Sequence, residues 1–288
     1  MLVTDLDGTL LGPGGLLSAR NARALETLRS RQVSIVFATG RAFRESARPL
    51  AGHLTDGGGT GRATHVIGAG GATTHDGSGT LIDARPLSAR AVRACAEAIN
   101  GHGHVAHLLH DESHDDHHYS MVGQGELDDA TKWWIETFGL RHRWHESLPA
   151  SHATTMRVSA VAHEREIAPI AGTVSGRVPN DVTLRHWPAM TSAGAGSAAP
   201  HMLEIHAAGV HKWAAAECLC ARLGIAPDET VAFGDGPNDV ELLAGAGLAF
   251  AMADGWEVAR SAADDVAPPC REDGFAITVE RLLDEGRL

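Results

Sequence analysis

Asp5 and Asp7 stand two residues apart at the end of a short apolar run, Leu2-Val3-Thr4, with Gly8, Thr9 and Leu10 behind them. Two carboxylates so placed are a poor packing device, because burial costs on the order of several kcal/mol per charge unless each is paired or bound to a metal. A D-x-D-G turn also occurs in calcium loops, but an EF-hand needs a bidentate glutamate later in the loop and none is there. A second acidic turn, Gly234-Asp235-Gly236-Pro237-Asn238-Asp239, offers two more carboxylates and an amide. Asp235 or Asn238 could serve as a helix cap alone; the acidic pair behind a buried strand favours a metal site. Thr39-Gly40-Arg41 follows the apolar run Val33 to Ala38. A hydroxyl and exposed amides at a helix start make a small anion site, or an ordinary strand-to-helix turn. Lys212, at the head of a helix after Leu203-Glu204-Ile205, can neutralise an anion or simply be solvated.

Regular elements must bring these four segments together. Leu2 to Thr4 reads as a strand running into a glycine-rich loop. Ser18 sits where a helix N-cap sits, and Ala22, Leu25 and Leu28 recur at helical spacing. Val33 to Ala38 is a second strand, and Val66-Ile67 ends a third before Gly68 to Gly71. Towards the C-terminus His211 to Leu223 reads as a helix closed by Gly224, and Thr230 to Phe233 as a strand. A helix starts near Asn238, Leu248 to Ala251 is another strand, and a helix starts near Gly255. This alternation implies parallel strands with right-handed crossovers, and an open parallel sheet binds ligands at the carboxyl ends of its strands. The middle differs: it holds most of the histidines and longer polar loops, and returns through the small residues Ser192 to Ser197. The expected architecture is α/β: a Rossmann-like parallel-sheet core from residues 1–85 and 201–288, with a second domain, 86–200, inserted in it.

The chain has 288 residues, enough for one or two domains, and a formal net charge of −12. That charge disfavours general binding of nucleic acid or anionic membrane. It does not exclude an anionic substrate, because a metal inverts the local sign. No window reaches the length of a membrane helix. Asp5 interrupts the start too early for a secretory signal, so a cytoplasmic location is expected. The four cysteines, Cys95, Cys218, Cys220 and Cys270, form no C-x-x-C pair and read as reduced thiols. A small-molecule substrate, no nucleic acid, no membrane, and a monomer or homodimer are the expected associations.

In this order the four segments resemble the haloacid dehalogenase superfamily of phosphohydrolases, specifically its Cof-like, type IIB capped branch. Asp5-Leu6-Asp7-Gly8-Thr9 matches the first motif of that family, Thr39-Gly40-Arg41 the second, Lys212 the third and Gly234 to Asp239 the fourth. Gly247 to Met252 is similar to the next strand of the family. The resemblance covers about residues 1–85 and 201–288. It implies a sheet with the Asp5 strand central, flanked by the Thr39 and Asp235 strands, and an α/β cap inserted after the third core strand. Three positions depart from the family pattern: Trp213 where glycine usually follows the lysine, Gly70 where asparagine usually stands, and His206 where proline often follows the preceding strand.

The chemistry implied is hydrolysis of a small phosphorylated metabolite, most simply a sugar phosphate, through an aspartyl-phosphate on Asp5. Asp7 serves as acid and then base, Thr39, Gly40, Lys212 and Asn238 hold the phosphoryl group, and Asp239 supports the metal or Lys212. A carboxylate meeting a phosphate dianion at about 4 Å faces roughly 8 kcal/mol of repulsion at an effective dielectric near 20. A divalent cation offsets this, and oxygen ligands suit Mg2+, held by Asp5, Asp235 and the Asp7 carbonyl. A phosphoryl transferase or sugar phosphomutase on the same core, and a non-catalytic binding protein of the same fold, are the alternatives; Asp5, Asp7, Lys212 and Asp235 together count against the last. The histidine-rich segment 102–118 fits no standard metal spacing and reads as a polar loop, the tryptophans of the middle domain as packing, and Asp264-Asp265 as a solvated turn.

Overall fold

Leu2, Val3 and Thr4 are all buried, so this first strand is covered on both faces. A strand of that kind belongs inside a parallel sheet with helices on either side. The computed structural model describes residues 1–55, 62–110, 117–149, 154–188 and 200–288, and separates them into two units, Met1–Asp83 with His211–Leu288, and Ala84–Val210.

In the first unit, Leu2–Thr4 lies between Val231–Gly234 and Ile35–Ala38, parallel to both, with Thr4 opposite Phe233 and Phe37. Outward on one side come Leu248–Met252 and Asp265–Ala267; on the other His65–Gly68, also parallel, then the antiparallel Thr73–Asp76 and finally Leu81–Ala84. Side chains alternate across this sheet. Leu2, Phe37, Phe233 and Phe250 face the helices Ala19–Ser30 and Gly274–Asp284, where the Phe233 and Phe250 rings stack at 5.2 Å and Phe275 meets Phe233 edge-on. Val3, Val36, Ala232, Ala249 and Ala251 face the helices Lys212–Leu223, Val240–Gly245 and Glu257–Ala262. The small residues on this second face let helix and sheet approach closely. Asn21, 2 % exposed, ties the layers together: its side chain donates to the Leu10 carbonyl and accepts from the Ala276 amide. The loop carrying Asp7 is thereby anchored to both helices of the first face.

The second unit is a six-stranded sheet in the order His142–His145, Tyr119–Val122, Ala106–His110, Thr155–Ala162, His201–Ala207, Val182–Pro188. Its helices Ala89–Gly101 and Glu164–Arg177 pack Val92, Ile99, Ile167 and Val174 on one face, against Leu108, Val158, Leu203 and Ile205. On the opposite face Trp134 meets Tyr119 edge-on at 4.9 Å, and Arg157 donates to Glu204 at 2.6 Å and to the Tyr119 hydroxyl at 3.1 Å.

The α/β core with an inserted α/β unit agrees with expectation, but the return point does not fall at 200/201. His201–Ala207 pairs with Thr155–Ala162 and Val182–Pro188, so the second unit runs to Val210. The small-residue stretch Ser192 to Ser197 lies outside the described residues; the strands before and after it pair with each other, Pro188 opposite His201. Asp265 likewise opens an edge strand rather than a turn, and Asp264 accepts from the Ala249 amide. No described helix is long and apolar enough to cross a membrane.

Candidate active site

Parallel pairing sets the carboxyl ends of three adjacent strands side by side, about 4.8 Å apart, and one segment of interest follows each. Asp5 follows Leu2–Thr4, and its amide donates to the Phe233 carbonyl at 3.0 Å, extending the pairing to the acidic residue itself. Asp235 follows Val231–Gly234, and Thr39 follows Ile35–Ala38. Thr39 is anchored through its amide to the Ile67 carbonyl and accepts from the Gly70 amide.

Asp5 is only 4 % exposed, and Lys212 reaches it from the first turn of Lys212–Leu223. The Lys212 ammonium donates to Asp5 Oδ1 at 2.5 Å and to Asp239 Oδ1 at 2.7 Å. Asp239 Oδ2 accepts from the amides of Asp235 and Gly236 at 3.1 and 3.0 Å, so both oxygens of Asp239 are engaged. Asp235 Oδ1 accepts from the Thr9 hydroxyl at 3.1 Å. One oxygen each from Asp5, Asp235 and Asp239 lie within 4.8 Å of one another, the one such grouping of metal-ligating side chains among the described residues. An all-oxygen donor set of this density suits a hard divalent cation such as Mg2+.

The electrostatics point the same way. Burial, with Asp5 and Asp239 nearby, pushes the Asp235 carboxyl up to about 8. Burial pushes Asp5 up to about 7 against the pull of Lys212. Burial alone would lower the Lys212 amine, but Asp239 and Asp5 overcome it and hold the amine above its ordinary value. The cluster has more carboxyls than cations, and a divalent ion would correct that imbalance.

Glycines make room for this geometry. Gly8 has φ +83°, and a Cβ there would sit 2.8 Å from the Asp235 carboxyl carbon. Gly71 has φ +109° and abuts the His211 carbonyl at the start of the Lys212 helix. The departure at Gly70 keeps a left-handed φ of 67°, and its amide still reaches Thr39. Trp213 packs its ring on Gly245 among the small apolar residues of the second face, and this accounts for its size. His206 is buried on its strand, in register with Thr183.

Gly40 sits half-buried between Thr39 and Arg41, and Asn238 lies on the short turn Pro237–Asp239, after the Asp235 strand. The charge partner of Asp7 was not foreseen. Arg41 grips the Asp7 carboxylate with both arms of its guanidinium, Nε to Oδ2 at 2.7 Å and Nη2 to Oδ1. Thr9, which fixes Asp235, was also missed. Both belong to the motifs already read, but each contact joins residues far apart in sequence and nothing local marks it. In the histidine-rich segment, residues 111–116 lie outside the described residues. His110 and His117 converge on the Ser120 hydroxyl at 2.8 and 3.2 Å, and burial pushes His107 down to about 4. The four cysteines are free thiols.

Comparisons with known proteins give the family. Residues 2–278 match the model of the haloacid dehalogenase-like hydrolases. The chain is 31 % identical over 277 residues to a phosphoglycolate phosphatase of Halorubrum lacusprofundi, covering 96 % of this chain and 93 % of that protein. It is 23 % identical over 283 residues to a 5-amino-6-(5-phospho-D-ribitylamino)uracil phosphatase of Bacillus subtilis, covering 98 % and 95 %. A solved HAD subclass IIB sugar phosphatase superposes with a TM-score of 0.78 at 22 % identity, over 100 % of this chain and 99 % of that one. The chain belongs to the haloacid dehalogenase-like hydrolases, as a phosphatase built on the Cof-like subclass IIB fold.

Proposed function

We propose that this protein hydrolyses the phosphomonoester of a small metabolite, a sugar phosphate or related polyol, in a Mg2+-dependent reaction with Asp5 as covalent nucleophile. The observation that carries this reading is the Lys212 ammonium bridging Asp5 and Asp239, with the Asp235 carboxyl in joint reach. Asp5 and Asp235 would hold Mg2+ through their carboxyls and Asp7 through its backbone carbonyl. When bound, the ion offsets the repulsion between the Asp5 carboxylate and the phosphate dianion. Asp239 has both oxygens committed, so its part is to fix Lys212 and the Asp235 turn.

An Asp5 oxygen attacks phosphorus, the bond to the leaving oxygen breaks, and its electron pair stays on that oxygen. Asp7 supplies the proton that completes the alcohol. Water then attacks the phosphoryl group, gives its proton to Asp7, and frees Asp5 and inorganic phosphate. Thr39, the Gly40 amide, Lys212 and Asn238 hold the phosphoryl oxygens as charge spreads over them. The relatives named above are phosphatases of different small phosphorylated molecules, which supports a small phosphate ester as the substrate; the sugar or polyol is the finer part of the proposal.

The test is release of inorganic phosphate from p-nitrophenyl phosphate and a panel of sugar phosphates, with Mg2+ and with chelator. Turnover should require the metal and need no acceptor alcohol. Asp5→Asn should lower kcat on the order of a thousandfold or more while the fold survives. A folded Asp5→Asn variant with near-native turnover would end the nucleophile assignment.

A further inference from the structure

The two-armed contact between Arg41 and Asp7 has no part in the reaction as set out above. The pair is partly open to solvent, its side chains 10 % and 28 % exposed. Ion pairs with solvent access contribute little unless, as here, the geometry is bidentate, and that geometry holds both side chains in one orientation. Both partners are rooted firmly. The Arg41 amide donates to the Thr39 hydroxyl at 3.1 Å, and the Arg41 carbonyl accepts from the Ala69 amide at 2.8 Å. Ala69 reaches that position at φ +49°, a left-handed conformation unusual for alanine. On the other side Asp7 bridges to Leu11, and the Gly8 amide donates to the Leu11 carbonyl at 3.2 Å. The guanidinium fork fixes the plane of a carboxylate as well as its charge, which an ammonium does not.

We infer that Arg41 is a positioning residue for the leaving-group step, holding the Asp7 carboxyl so that one oxygen faces the oxygen departing from phosphorus. This rests on the acid–base role proposed for Asp7. The structure shows the carboxylate with both oxygens on the guanidinium. In the protonated form one oxygen lets go and carries the proton, and as the P–O bond breaks the departing oxygen keeps the electron pair and takes that proton while the other Asp7 oxygen stays on the guanidinium. A carboxyl free to rotate would present its proton in the right direction only part of the time. The cost falls on substrates whose leaving oxygen needs the proton, alkyl phosphates, and spares p-nitrophenyl phosphate, whose phenolate departs without one.

The experiment compares kcat and KM for glycerol 2-phosphate and p-nitrophenyl phosphate in wild type, Asp7→Asn, Arg41→Ala, Arg41→Lys and the Asp7→Asn/Arg41→Ala double variant. Both Arg41 variants should lose about tenfold or more in kcat on the alkyl substrate beyond any loss on the aryl one, a fraction of a full general-acid effect. KM should stay within about threefold. Lysine should not rescue, added guanidinium ion should partly restore Arg41→Ala, and the double variant should be no slower on glycerol 2-phosphate than Asp7→Asn. Equal losses on both substrates, a loss carried in KM, or rescue by lysine would overturn the positioning role. Arg41→Lys keeps the charge and serves as the reading should Arg41→Ala not fold. Equal losses in Asp7→Asn itself would instead bring down the acid–base assignment.

Discussion

Asp235 and Asp5 sit where a proton is held more tightly than in water, at about 8 and about 7. An unfolded aspartate titrates near 3.8. Between roughly pH 4 and pH 8 the folded chain therefore binds more protons than the unfolded one. The contribution of these groups to stability is full at low pH and is lost as pH rises through the folded values. The metal-free protein should have a melting temperature that falls from about pH 5.5 to pH 8.5. A cation displaces those protons, so the gain in melting temperature on adding Mg2+ should grow over the same interval. Thermal unfolding with chelator and with Mg2+ at three pH values reads both slopes, and Asp235→Asn should flatten them. A Mg2+ gain independent of pH would show that these carboxyls are not the ones the ion neutralises.

At the scale of elements, the site depends on turns that hold carboxylates against backbone. Gly8 is the tightest case: its left-handed φ strains any other residue, and a methyl there meets the Asp235 carboxyl. Gly8→Ala should destabilise the chain by about 1–2 kcal/mol, a fall of a few degrees in melting temperature, through the backbone alone. It should also weaken Mg2+ binding well beyond that by displacing Asp235, which titration calorimetry would measure; unchanged affinity would mean the carboxyl moves without cost. The strand ends and this glycine were legible in the sequence because buried runs ending in Asp, Thr or Gly carry local information. So was the Lys212 helix, whose His211 cap and Gly224 stop frame the stretch that was read. The pairing of Arg41 with Asp7 was not, since it joins residues from two strand ends and nothing local marks it. The return point failed for a related reason. Leu203 and Ile205 have the alternation of a strand in either unit, and only long-range pairing assigns them to the second.

For the molecule as a whole, both ends of the chain build the site, and all the expected metal ligands lie in the unit formed by Met1–Asp83 and His211–Leu288. The Asp5 and Asp235 strands are direct neighbours, so a bound ion adds a link between distant parts of the sequence that hydrogen bonds already join. Ligand binding to the folded form alone stabilises by RT ln(1 + [L]/Kd), about 2.7 kcal/mol at a hundredfold excess over Kd. That energy is delivered to the elements that must be intact for the ion to bind. Hydrogen exchange with and without Mg2+ should therefore show added protection in Leu2–Thr4, in Val231–Gly234 and in the turn at Pro237–Asp239. The sheet of Ala84–Val210 holds none of these ligands, and its strands Ala106–His110 and Thr155–Ala162 should exchange at unchanged rates. Equal protection in both units would mean that they unfold as one cooperative body. Protection confined to the second unit would place the ion elsewhere, and the argument from Asp5 and Asp235 would fail with it.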